Sequence, residues 1–124
     1  MVIETLNPKG KDPNNVNMIG SRGFLLAKLG KYEKAITWYD KALAIDPNNV
    51  NVLVNKGLAL INKALRIDPN NVYALVGKGH VLHTQGKYQE AIEYFDKAFK
   101  IDPNNVYAIV KAMFFVDRAK TMKQ

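Results

Sequence analysis

Apolar residues recur at spacings of three and four along most of the chain. Over one stretch they are Val72, Leu75, Val76, Gly79 and Leu82; over the next, Tyr88, Ala91, Ile92, Phe95, Ala98 and Phe99. That period places each set on one face of an α-helix. Between them Gln85-Gly86-Lys87 is a turn, with Gly86 suited to the left-handed backbone that ends many helices. Asp102-Pro103 stops the second helix, because proline disfavours helical backbone in the residue before it. Asn104 and Asn105 are then good caps for the next helix. The small residues Gly79, Ala91 and Ala98 stand where bulky Tyr88 and Phe95 can slot between two close helices.

The same pattern occurs more than once. Asp-Pro-Asn-Asn-Val appears four times, with its proline at Pro13, Pro47, Pro69 and Pro103, at spacings of 34, 22 and 34 residues. Residues 16–49 superimpose on 72–105 without a gap. Gly23, Leu26, Gly30, Tyr32, Ala35, Tyr39 and Ala42 fall on Gly79, Leu82, Gly86, Tyr88, Ala91, Phe95 and Ala98. A fixed period of this size is the signature of a repeat architecture.

At these residues the chain resembles the tetratricopeptide repeat family, whose 34-residue helix–turn–helix unit carries a series of Gly, large apolar, Gly, Tyr, Ala, aromatic, Ala and Pro. The resemblance spans about 110 residues and implies an all-α fold of stacked helical hairpins, an α-solenoid. One position departs from it: where the family places leucine before its first glycine, this chain has Arg22, Lys56 and Lys78. The stems of these side chains can still cover apolar surface.

The middle unit, 50–71, is 12 residues short. Val50–Leu60 matches Val72–Leu82 and Asn62–Pro69 matches Asp96–Pro103, so the counterpart of His83–Tyr94, with its turn, is missing. Only Gly57 could break the segment, and it has a packing counterpart in both full units. One continuous helix over about 51–67 is therefore expected, with apolar residues around much of it. Fusing two helices removes a chain reversal, so the last unit is expected to start from the opposite end to the first. The expected organisation is a flexible leader at 1–15, a full repeat at 16–49, a single helix within 50–71, a full repeat at 72–105 and a capping helix at 106–124.

Repeat arrays bury each unit's apolar face on its neighbours and generally need about three units. Two full repeats around a shortened one are expected to self-associate as a homo-oligomer, a dimer with helix exchange being one form. Leu53, Leu60, Ile61 and Leu65 on the fused helix, and Phe114 and Phe115 near the end, are the candidate association surfaces.

Composition excludes several alternatives. The 124 residues are 48% hydrophobic and include no cysteine, which removes disulfides, thiol catalysis and cysteine-held zinc. Asn55, Lys56, Asn62 and Lys63 interrupt the most apolar stretch, so no membrane span is expected, and the first eight residues do not read as a signal peptide. A cytoplasmic protein is the expectation. The net charge of +7 hints at nucleic acid, yet the lysines recur at repeat-equivalent positions without forming a stripe, so nucleic acid is disfavoured as a partner. His80 and His83 stand three apart on a helix, but a metal needs three or four ligands and no carboxylate accompanies them. The carboxylates recur at helix ends and outer positions, which points to capping, and no nucleophile is paired with a base. Neither an enzyme nor a cofactor or metal site is expected.

What the resemblance implies is binding of proteins or peptides in a concave groove lined by the first helix of each unit. The matching positions are Asn17, Ser21, Phe24 and Lys28; then Val54, Asn55 and Leu58; then Tyr73, His80 and Thr84; then Tyr107 and Lys111. Relatives that grip acidic chaperone tails use basic and amide residues at positions of which only Asn55 matches here. The groove is therefore expected to be apolar and aromatic, suited to a helix or hydrophobic segment.

Overall fold

In a computed structural model the described residues are 15–107 and 109–111, and all regular structure among them is helical. Five helices follow one another: α1 (Val16–Lys28), α2 (Tyr32–Ile45), α3 (Val50–Ile67), α4 (Val72–Thr84) and α5 (Tyr88–Ile101). Helical backbone resumes at 103–107. Residues 1–14 of the expected leader, the end of the capping helix, Phe114 and Phe115 lie outside the described residues; Asn15, placed in the leader, caps α1 instead.

The repeated punctuation has a repeated geometry. In Asp46-Pro47-Asn48-Asn49 the Asn49 N–H donates to the Asp46 carbonyl at 3.2 Å, and Asn71 to Asp68 at 3.1 Å. This is a β-turn with proline at its second position, where its fixed φ fits. The second asparagine then caps the helix: Asn49 Oδ1 accepts from the Val52 N–H at 3.0 Å and Asn71 Oδ1 from Ala74 at 2.9 Å, as Asn15 does from Met18. The fourth copy differs from expectation. There Asp102 takes the cap, accepting from the Asn105 N–H at 3.4 Å, and the helix begins at 103, inside the motif.

Both hairpins turn in the same way. Gly30 and Gly86 have φ of 78° and 80°. The N–H groups of Gly30 and Lys31 reach back to the carbonyls of Ala27 and Leu26 at 2.9 Å each, and Gly86 and Lys87 repeat this on His83 and Leu82. Left-handed backbone at the first residue past the cap allows both bonds, and glycine adopts it without steric cost.

The chain divides into two compact units, one up to Lys63 and one from Ala64. In the first, Ile19, Ala35, Tyr39, Ala42, Val52 and Ala59 form the core. Two ion pairs join α3 to α2: Lys56 Nζ to Asp40 Oδ1 at 2.6 Å and Lys63 Nζ to Glu33 Oε2 at 3.1 Å. The second unit has its core at Leu75, Val76, Ala98 and Val106, with Leu65, Phe95 and Phe99 packed against it. Tyr88 and Ile92, expected inside, are exposed; the helix buries Ala91 and Ala98 instead, because small side chains let α5 approach α4 closely. Val52 and Ala59 carry the buried face of α3, while Val50, Leu53, Val54 and Leu60 stand at its surface.

One close approach sets each hairpin. A Cβ on Gly23 would lie 2.6 Å from the Tyr39 ring, and one on Gly79 would lie 2.7 Å from the Phe95 ring. No real Cβ sits so near. Gly23→Ala and Gly79→Ala therefore force a shift costing about 1–3 kcal/mol, which outweighs the gain of about 1 kcal/mol from alanine's helix propensity. Denaturant titration followed by circular dichroism should show both variants less stable than the parent chain.

The aromatic ring in each unit differs by one hydroxyl. Burial of Tyr39, which is 1% exposed, raises the pKa of its phenol. The folded state thus favours the neutral form, so this contribution is intact below the unfolded tyrosine pKa and is lost as pH rises through the higher folded value. Between about pH 9 and pH 11, Tyr39→Phe should flatten part of the alkaline loss of stability of the first unit, measured through Trp38 fluorescence.

Candidate functional site

Helix α1 turns Ile19 and Gly23 toward the core, which leaves Asn17, Ser21, Phe24 and Lys28 exposed on another face. Helix α3 buries Val52 and Ala59 and so brings Asn51, Asn55, Leu58 and Asn62 alongside. Between them lies an open hollow of about 330 Å³ lined by Val16, Asn17, Gly20, Ser21, Phe24, Asn49, Asn51, Val52 and Asn55. A smaller one of about 90 Å³ adjoins it, lined by Phe24, Ala27, Lys28, Tyr39, Asn55, Leu58, Ala59 and Asn62. Phe24 and Asn55 belong to both.

The structure thus brings together Asn17, Ser21, Phe24, Lys28, Asn55 and Leu58. Val54 lines neither hollow. The linings mix amides with apolar side chains, apolar surface being the larger part of both; Phe24 is the one aromatic ring apart from the Tyr39 wall of the smaller hollow. Asn49 and Asn62 were not foreseen. Asn49 reads in sequence as a helix cap, and Asn62 aligns with the outer helix of the full repeats, so neither carried a groove signal. Ser21 spends its hydroxyl proton on the Asn17 carbonyl at 2.8 Å, which leaves its oxygen to accept. Lys28 Nζ lies 5.2 Å from the centre of the Phe24 ring.

In the second unit Tyr73, His80, Thr84, Tyr107 and Lys111 are all exposed. Tyr73 accepts a hydrogen bond from the Asn105 side-chain amide at 3.4 Å, the Thr84 hydroxyl donates to the Val81 carbonyl at 2.8 Å, and Lys111 stands 5.7 Å from the Tyr107 ring centre. His83 packs edge-on against Tyr88 with ring centroids 5.3 Å apart. Among the described residues no three His, Asp or Glu side chains gather as metal ligands, and no described helix is long and apolar enough to cross a membrane.

The self-association candidates divide. Leu53 and Leu60 are exposed and Ile61 is half-buried. Leu65 is not free surface: it packs against the core of the second unit. Its place near the end of α3, past the point where the first core stops, directs it there.

The basic residues in the leucine position now have a role. Arg22 lies 5.1 Å from the centre of the Trp38 ring, with Lys41 at 4.3 Å, and Lys78 lies 4.7 Å from the Tyr94 ring. A cation over an aromatic face replaces an aliphatic contact between the two helices of each hairpin.

The comparisons agree with this architecture. A family model described as TPR repeat matches residues 23–61, and one described as tetratricopeptide repeat matches residues 72–105. The chain belongs to the tetratricopeptide repeat family. Its first match runs through the α1–α2 hairpin into α3. A search of curated proteins finds no match. As a tetratricopeptide repeat protein the chain is a protein–protein interaction module.

Trp38 is the single tryptophan and reports the first unit alone. Arg22→Ala should lower that unit's stability by about 0.5–1 kcal/mol, with a change in the emission of the folded state, as read by fluorescence-detected denaturation.

Proposed function

We propose that the protein is a non-enzymatic assembly module that self-associates through the outer face of α3. One observation supports this reading above others. Gly23 and Gly79 each receive an aromatic ring, whereas a Cβ on the equivalent Gly57 would meet none of the described residues within 4 Å. The shortened middle unit keeps the packing glycine and lacks the helix that would supply its ring. Leu53 and Leu60, one turn to either side, stay exposed. Apolar surface left open in a repeat array is the surface on which a neighbouring repeat ordinarily stacks.

A second reading concerns the α1–α3 hollow, and its amide lining favours it. Asn17, Asn51 and Asn55 each offer a donor and an acceptor, which suits the backbone of an extended segment, while Phe24 supplies apolar contact. Peptides selected from a displayed library for binding the chain should lose affinity for Phe24→Ala and Asn55→Ala if they occupy this hollow.

For self-association, light scattering over a dilution series should give a mass above the 13.9 kDa of one chain. Leu60→Lys should return the mass to that of one chain with its helicity unchanged, since Leu60 lies at the surface. A single-chain mass for the parent at every concentration rejects the reading.

A further inference from the structure

The charges of α2 are sorted by flank. Glu33 and Asp40 share one side of the helix, and α3 holds both there, at Lys63 and Lys56. One residue on, about 100° round the helix, Lys34 and Lys41 share the next side with Trp38 between them. Neither lysine is ion-paired with a carboxylate among the described residues. From α1, Arg22 reaches the same place: it and Lys41 lie 5.1 and 4.3 Å from the centre of the Trp38 ring. Three cations from two helices therefore gather about one half-buried indole. Arg22 stands two positions before Phe24, and residues so spaced do not share a helix face, so this cluster is separate from the α1–α3 hollow.

The second unit does not repeat the cluster. Lys78, Tyr94 and Lys97 stand where the first unit has Arg22, Trp38 and Lys41, but Glu90 takes the place of Lys34, and Gln85 that of Leu29. Both units form the same hairpin, so helix packing requires neither a lysine at 34 nor a leucine at 29. Leu29 is 70% exposed, and Leu25, three residues past Arg22 on the same flank of α1, is 61% exposed. The first unit thus sets unpaired positive charge beside open apolar surface. The second has a carboxylate and an amide at the two positions that differ.

Charge complementarity selects the partner. We propose that this flank of the α1–α2 hairpin docks an acidic, amphipathic peptide segment. Its carboxylates meet Arg22, Lys34 and Lys41, and its apolar residues cover Leu25 and Leu29. The apolar part favours a peptide over a nucleic acid, because leucines offer nothing to a phosphate chain. The Trp38 ring, on which a base could stack, already carries two cations. A lipid surface is disfavoured as well: an indole half-buried beneath cations is not free to sit at the headgroup level as an interfacial tryptophan does. The site is separate from the outer face of α3 and stands whether or not the chain self-associates.

The single tryptophan lies in the site and reports on it. The probe is a labelled helical peptide of glutamate and leucine in amphipathic order, titrated against the whole chain and followed by Trp38 emission and by the anisotropy of the label. It should bind at low salt and weaken as salt is raised. The same peptide with glutamine for glutamate should bind far more weakly. Lys34→Glu should weaken binding about fivefold or more, since one surface ion pair is lost and a repulsion replaces it. That variant installs the residue the second unit carries at this position, so its helicity should match the parent's. Lys97→Glu makes the same charge change in the second unit and should leave the affinity unchanged. Equal weakening by both variants would mean that net charge alone attracts the peptide. Equal binding of the glutamine peptide would mean that apolar contact suffices. Failure of the glutamate peptide to bind would remove the site as a peptide dock. If an oligothymidylate or a phosphatidylserine vesicle then binds instead and is lost with Lys34→Glu, the partner is a nucleic acid or a lipid. Each of these outcomes overturns the proposal.

Discussion

The fit of an aromatic ring into the gap left by a glycine governs this structure. It happens between Gly23 and Tyr39 and again between Gly79 and Phe95, and it brings two helices close enough for Ala35, Ala42, Ala91 and Ala98 to be buried. Everything around it serves that approach. The Gly30 and Gly86 turns reverse the chain, the Asp-Pro-Asn-Asn turns end one helix and cap the next, and cations stack on Trp38 and Tyr94 where an aliphatic contact would otherwise lie. The one place where the rule is broken is α3, which has the glycine and no ring. The functional reading of the molecule follows from that exception.

Much of the fold was legible because its signals are local and repeated. The apolar period defined the helices, Gly86 defined a turn that needs positive φ, and arithmetic on four prolines located the shortened unit, so a single middle helix over about 51–67 could be foreseen and is found at Val50–Ile67. Which face each helix buries was harder to read. On α3 nearly every position on one side is apolar, so hydrophobicity alone could not distinguish Val52 and Ala59, which are buried, from Leu53 and Leu60, which are not. Position on the helix decided it, since Val52 and Ala59 stand on the side that packs against the first core and the identical side chain of Val54 does not. Tyr88 and Ile92 share the apolar period of α5 in the same way, and they too are exposed.

The site was less legible than the fold. Six of the positions implied by the family resemblance do come together along α1 and α3, yet the linings also take in Asn49 and Asn62, one hidden in a capping motif and the other in a misaligned half-repeat. The separate fates of Leu65 and Leu60, five residues apart on one helix, likewise depended on where one core ends and the next begins. No local pattern encodes that boundary. The glycine at position 57 stands at the same place in its unit as Gly23 and Gly79, and the space above it marks the loss of the second helix.

The central claim is that the missing helix leaves the Gly57 face to be covered by another chain. Sedimentation equilibrium on a variant that restores the helix is its most direct test. Replacing Ile61 with a copy of residues 83–95 returns the turn, the second helix and a ring in the position of Phe95, giving Gly57 an intramolecular occupant. The parent chain should sediment as an oligomer and the restored chain as a monomer. Equal association of the two, or a parent that is already monomeric, would contradict the account.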